Sequence, residues 1–486
     1  MTEIPSDASA SMAEPPPLPS HTRRRWIGVI FAAVGLLATY AVIFNDFSGF
    51  DSQDKLAWRQ DPVALAMRFA DREMAFQELA RTIPQPLRFL LKWEWDSDDD
   101  DDLNAIRALE ECEAFLRARG NSHEHPELAL ALAILAGERG DQDAMENWLT
   151  VLQESPGGEE VATRLRNAYA NPSRQVFGDT SLEARHLDGT QWFFMVLAAR
   201  FLESHHETEE AEVLRAQATM DLEGRTHVFK TLAISDFIVL LVGLVGVWVW
   251  RKRDPPPACA AACWSPVTAF NIYAWAGLLG VACLLTVWFA SYHMPQAQVL
   301  GMMTMPWYFG PTLVVFYLAV CLPNRMTLRQ IFGLRPTLPM IAAGFALLLI
   351  DRLVQMGWFK LVETLDVVAS PIEGLSEELI WGNITWRVFD TLDASLGAGI
   401  LEEVVYRGII FLGLRHRFGF TTSALASTVI FTLPHVQYGW VGLVSVAIFG
   451  FLAAWSVERT RSLLPAIIAH TYLNLSISLW QWSVFA

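Results

Sequence analysis

The 486-residue chain is 52% hydrophobic and only 18% charged, whereas soluble globular domains carry about 25% charged residues. Its apolar residues are gathered into long runs, the pattern of a chain that crosses a bilayer several times. A formal net charge of −16 speaks against nucleic acid as a partner.

Residues 1–21 are rich in Pro, Ser and Ala and are expected to be disordered. Arg23, Arg24 and Arg25 then precede an apolar run at 26–44. About 19 residues give roughly 28 Å of helix, enough to cross a hydrocarbon core. The run is long for a signal peptide, and no A-x-A cleavage site follows it. The segment 22–44 is therefore read as an uncleaved anchor. Its arginines place the N-terminus in the cytoplasm.

Residues 45–228 are polar. Apolar residues at helical spacing predict helices over 103–119, 126–139 and 141–152, with Gly120 and Gly140 as stops. The stretches 158–170, 191–203 and 207–221 repeat the style. Short Ala- and Leu-rich helix pairs resemble a tetratricopeptide-type stack, although no clean period of about 34 residues runs through them. Such a soluble helical domain offers a surface to a protein partner. Cys112 stands alone in it, so no internal disulfide staples the segment, and its thiol, where the fold leaves it exposed to solvent, is the natural probe of sidedness. Cys259 and Cys263 read as small residues near a membrane rather than a metal knuckle. The run Asp98–Asp102 reads as a solvated loop. His123, His125, His205 and His206 sit in acidic surface stretches.

Further apolar runs occupy 232–250, 268–290, 305–322, 340–358, 396–414, 421–433, 440–457 and 464–482. With the anchor they make about nine spans. Counting spans puts Arg251–Arg253, Arg325, Arg329, Arg335, Arg415, Arg417, Arg459 and Arg461 on the side of Arg23–Arg25, which is then cytoplasmic. The connections at 45–228, 291–304 and 359–395 fall on the other side, as does the C-terminus. The expected fold is all-α: a polytopic transmembrane helix bundle, in a plasma or inner membrane, with an inserted extracytoplasmic helical domain. Residues 229–395 supply helices and loops, and 396–486 carry the chemistry.

Ionisable side chains inside apolar spans are costly and mark function. Three groups stand out: Glu402-Glu403-Val404-Val405-Tyr406-Arg407, Phe431-Thr432-Leu433-Pro434-His435, and His470-Thr471-Tyr472-Leu473-Asn474. Glu403 and Arg407 are four apart, with the acid first, so they share a helix face and can pair. Glu402 points elsewhere and stays unpaired within its helix. A carboxylate in apolar surroundings suits a general base. His470 and Asn474 also share a face. Pro434 deprives the carbonyl of Ile430 of its helix bond. Glu402, His435, His470 and Asn474 thus supply one acid, two imidazoles and one amide from three helices. That set can activate a water and stabilise an oxyanion. Glu402, His435 and His470 can equally offer three ligands to a zinc ion with an open fourth position. Any one of these residues alone reads more simply as helix–helix glue. The joint pattern does not, because glue needs no unpaired Glu beside a paired one.

The order E-E-x-x-x-R, F-x-x-x-H, H-x-x-x-N on successive membrane helices resembles the CAAX-protease and bacteriocin-processing family, also called the abortive-infection family, across about 396–486. Arg407-Gly408 also resembles its usual R-G. The resemblance implies an intramembrane endopeptidase acting on a peptide or protein at the bilayer. It implies that Glu402 and His435 activate the water, that His470 and Asn474 stabilise the oxyanion, and that Glu403 and Arg407 are structural. Both a metallo and a metal-free glutamate mechanism are argued for the family. No H-E-x-x-H, G-x-S-G or G-x-G-D points to another intramembrane peptidase class. Leu187-Asp188-Gly189 mimics the partner motif of site-2 proteases but lies in the polar domain. Two rivals keep the fold and drop the chemistry. One is a scaffold that binds a membrane partner through 45–228. The other is a transporter or immunity-type protein whose Glu and His residues relay protons.

Overall fold

The computed structural model of the chain describes residues 61–70, 73, 102–118, 125–170, 195, 208–251, 264–294, 298–365, 367, 376–435 and 438–485. Its regular elements are all helices, with no strand among the described residues. The tail, the anchor at 22–44, most of 191–203, Asp98 through Asp101, His123, His205, His206, Cys259 and Cys263 lie outside the described residues.

Four helices follow one another in the polar part: α1 (Asp102–Ala118), α2 (Pro126–Arg139), α3 (Gln142–Gln153) and α4 (Gly158–Ala170). Pro126 opens α2, where its missing N–H costs nothing. Gly140 closes α2 at φ 74°, in the left-handed region that glycine enters freely. The Asp141 carboxylate then caps α3 by accepting the Ala144 N–H at 3.0 Å. Consecutive helices pack on each other and bury Leu109, Leu132, Leu149 and Leu165. Leu65 and Phe69 join the same core.

Cys112 is fully buried in that core. Burial first, then the carboxylates of Asp61, Glu127 and Glu113, push its thiol pKa up. The expectation that Cys112 reports sidedness is therefore corrected: a buried, protonated thiol does not meet a reagent in solvent.

The bundle begins with α5 (Thr208–Arg251), a continuous 44-residue helix. The polar helix expected at 207–221 and the span at 232–250 are one element, because no proline interrupts them. Then come α6 (Pro266–His293), α7 (Met305–Phe316) with a π-helical extension Tyr317–Cys321, and α8 (Leu338–Thr364). After these stand α9 (Glu377–Trp381), α10 (Ile384–Leu392), α11 (Phe420–Thr432), α12 (Trp440–Thr460) and α13 (Leu464–Phe485). Among the described residues four helices are long and apolar enough to cross a membrane: Ile234–Arg251 within α5, and α6, α8 and α12. Met305–Cys321 and Phe420–Thr432 are shorter apolar helices. The chain is a multi-pass integral membrane protein. Ile234, Leu241, Val245 and Trp248 of α5 turn outward, the arrangement of a lipid-facing surface.

Close helix contact replaces the hydrophobic drive that lipid removes. A Cβ on Gly246 of α5 would lie 2.2 Å from the Ala342 carbonyl oxygen of α8, so only glycine permits this crossing. Aromatic rings fill the bundle interior, with Phe316 stacked on Phe332 at 5.5 Å and Tyr406 edge-on to Phe431 at 5.3 Å.

The expected connection at 359–395 is corrected too. It holds the end of α8, then α9 and α10, and α10 leads without a break into a helical run that ends at Arg415. Asn383 starts the run by accepting the N–H groups of Thr385 and Trp386 at 3.0 and 3.1 Å. Glu402 therefore lies deeper along its helix than a start at Leu396 implies. Ile380 of α9 is fully buried in the core of the polar helical unit, where Trp381 and Trp480 also pack. Arg68 lies over the Trp381 ring at 5.2 Å. The helical unit is thus seated on the end of the bundle where α9 and the last turns of α13 meet.

Candidate active site

The helical run that carries Glu402 is not a plain α-helix. Asp393–Ala398 is π-helical, Gly399–Glu402 is α-helical, and Glu403–Phe411 is π-helical again. Such wide turns are rare and concentrate at functional sites. Neighbouring side chains reach the widened backbone. Ser427 donates to the Tyr406 carbonyl at 2.8 Å, and the Trp264 indole N–H donates to the Ile409 carbonyl at 2.9 Å. At the head of the run, the buried Asp393 carboxylate accepts the Thr304 N–H and hydroxyl, both at 2.7 Å. It also accepts the Met305 N–H at 3.1 Å, which ties the run to the start of α7.

Glu403 lies at the centre of the site and is fully buried, as is Arg407. Arg407 Nη1 donates to Glu403 Oε1 at 2.9 Å, the pairing that the four-residue spacing predicts. The rest of the guanidinium rests on aromatic faces, 3.9 Å from the Phe431 ring centre and 5.9 Å from that of Phe449. His470 of α13 reaches the same carboxylate, with Nδ1 at 2.8 Å from Glu403 Oε1. A carboxylate there favours the tautomer with its proton on Nδ1, and Nε2 then faces the other way. That nitrogen lies 3.8 Å from Glu402 Oε2, too far for a hydrogen bond. Glu402 Oε2 is buried and has no hydrogen-bond partner among the described residues.

His435 is half-buried, just past the end of α11. Its Nδ1 stands 2.9 Å from the Phe431 carbonyl oxygen, which leaves Nε2 for other work. The Phe431 ring borders both imidazoles, at 4.9 Å from His435 and 5.9 Å from His470. Asn474, one turn beyond His470, donates from Nδ2 to the Ala394 carbonyl at 2.8 Å. Glu402, Glu403, Arg407 and His470 thus form one cluster. His435 joins it across Phe431, and Asn474 is held by the π-helical segment beside it. No group of three His, Cys, Asp or Glu side chains close enough to hold a metal occurs among the described residues. The zinc set of Glu402, His435 and His470 is not assembled in this arrangement, and no step below runs through a metal.

Asp393, Ser427, Trp264 and Phe449 escaped the sequence reading. Asp393 lay in a presumed loop. Ser427 and Phe449 are ordinary residues of apolar helices, Trp264 stands just before α6, and only tertiary contact gives them a role.

The segment that carries this cluster also matches known proteins. A family model described as Rce1-like, type II CAAX prenyl endopeptidase, matches residues 383–476. The C-terminal segment resembles that family. A curated relative, the putative membrane peptidase YdiL of Bacillus subtilis (strain 168), is 32% identical over 88 residues. That match covers 18% of this chain and 35% of the relative, so the chain spans about a third of the relative's length. No solved structure matches the chain. The first match is to a CAAX prenyl endopeptidase family and the second to a membrane peptidase, and the four described helices long and apolar enough to cross a membrane belong to the bundle that holds the matched segment.

Proposed function

We propose that the chain is an intramembrane endopeptidase that hydrolyses peptide bonds of a membrane-associated protein or peptide, with Glu402 as the base that activates water. One observation carries this reading above the others. Glu402 Oε2 is buried, has no hydrogen-bond partner among the described residues and faces a histidine nitrogen 3.8 Å away. A structural carboxylate in a bilayer is paired, as Glu403 is.

In this mechanism Glu402, supported by His435 Nε2, takes a proton from water as its oxygen attacks the scissile carbonyl carbon. The carbonyl oxygen becomes an oxyanion. His470 in its imidazolium form, with Nδ1–H held by Glu403, offers its Nε2–H to it, and the second N–H of Asn474 is left for the same charge. The C–N bond then breaks, and Glu402 returns its proton to the leaving amine. Arg407 pairs with Glu403, and Glu403 fixes the His470 ring, as an outer carboxylate does for a working imidazole.

The test is cleavage of an internally quenched, prenylated CAAX peptide by the purified chain in proteoliposomes. Glu402→Gln and His435→Ala should each lower the rate by roughly 10²–10⁴-fold with membrane insertion intact. Full activity in Glu402→Gln would sink the assignment. The wild-type rate should also survive dialysis against a chelator. Loss that added zinc restores would replace the metal-free mechanism with a zinc one.

A further inference from the structure

One buried carboxylate near the site lies outside the matched segment. Asp351 sits in α8, outside residues 383–476, and is 1% exposed. Its Oδ2 has no hydrogen-bond partner among the described residues. Oδ1 receives only a long 3.4 Å contact from Gln355 Nε2. That amide is already engaged, since it donates to the Ser445 carbonyl at 2.9 Å, while its oxygen accepts the Ser445 hydroxyl at 2.7 Å. The neighbouring Arg352 donates to Ser476 of α13 at 3.3 Å.

The placement of Asp351 follows from two contacts between α8 and α13. A Cβ on Gly344 would lie 2.8 Å from Ile468 Cβ, and Arg352 meets Ser476. The two pairs have the same offset in residue number, so the helices run side by side in one direction. Asp351 then comes level with Leu475, beside Asn474 and one turn beyond His470. Its charged neighbours are Arg352 first and then His470. Across α12, Ser445 lies one turn from Phe449, whose ring packs 4.9 Å from the His470 ring.

We propose that Asp351 is a substrate-binding residue that accepts an N–H group of the bound peptide, one turn from the cleavage chemistry. An acceptor without a donor at a bilayer-spanning position is kept at a cost in stability, and a peptide laid along the site supplies the donor. The N–H comes from the peptide main chain or from a basic side chain. The inference rests on the peptidase reading for the identity of the ligand, but its test does not need turnover.

The binding partner for the test is the Glu402→Gln variant in nanodiscs, read by fluorescence anisotropy. Three farnesylated peptides serve as probes: a neutral one, the same with a lysine, and the same with N-methylated amides. Adding Asp351→Leu should weaken binding by about tenfold or more and leave Tm unchanged or raised. Loss confined to the lysine peptide assigns the site to a basic side chain. Loss on the neutral peptide that N-methylation reproduces assigns it to the main chain. Equal Kd with and without Asp351, or no binding of any probe, overturns the inference. So does a lowered Tm in both Asp351→Leu and the near-isosteric Asp351→Asn, since Asp351 would then hold the bundle together. If binding depends on Asp351 while the wild-type chain cleaves none of the probes, the peptidase reading fails and the binding residue stands.

Discussion

At the scale of single residues, Glu402 and Glu403 are neighbours with opposite energetic roles. Glu403 is fully buried and satisfies two partners, Arg407 and His470. Truncating it strands a guanidinium at the centre of the bundle, and breaking a buried pair this way costs about 3–5 kcal/mol. Glu403→Ala should therefore lower both folded yield and Tm in detergent. Glu402 Oε2 has no hydrogen bond among the described residues to lose, so Glu402→Ala should leave Tm close to wild type or raise it. Equal destabilisation by the two changes would show that the carboxylates are interchangeable structural groups. The sequence shows the Glu403–Arg407 pairing because the spacing is local to one helix. It does not show that His470 is the third member, because that contact joins positions 67 residues apart through the fold alone.

At the scale of elements, the apolar runs from 232 onward are each legible as helix, and most ends agree within a few residues. What escaped is the part of the chain with the least conventional winding. The run from Ile384 to Arg415 alternates between π and α turns, and no period in the sequence announces a π-helix. Its first turns looked like a polar loop because Asp390 and Asp393 sit there. Asp393 in fact satisfies the start of another helix. The α5–α8 crossing was equally silent, since a glycine in a span signals close approach but not to what. Replacing Gly246 by Val would drive a side chain into the Ala342 carbonyl, and overpacking of this kind costs about 1–3 kcal/mol. The expected result is a lower Tm with unchanged topology, read by thermal melting in detergent. An unchanged Tm would mean that α5 is free to move away from α8.

For the whole molecule, the decisive contact is the one between the polar helical unit and the bundle. The sequence placed 45–228, 359–395 and the C-terminus on the same side of the membrane from charge alone. In the fold, Ile380, Trp381 and Trp480 from the latter two meet the core of the helical unit. Three segments assigned to one side by charge therefore touch. We propose that this side is extracytoplasmic, and that the helical unit lies over the end of the bundle from which substrate approaches. Cys112 cannot test this, because it is buried. Asn147, on the outer face of α3, is exposed, so an Asn147→Cys variant offers a thiol to solvent. A membrane-impermeant maleimide added to intact cells should label it well above the wild-type background. Adding Ile380→Asp, which puts a charge into the shared core, should loosen the helical unit from the bundle without changing the side from which Asn147→Cys is labelled. Labelling of Asn147→Cys only after lysis would place the helical unit in the cytoplasm. The site would then be approached from the cytoplasmic face, with every contact within the fold unchanged.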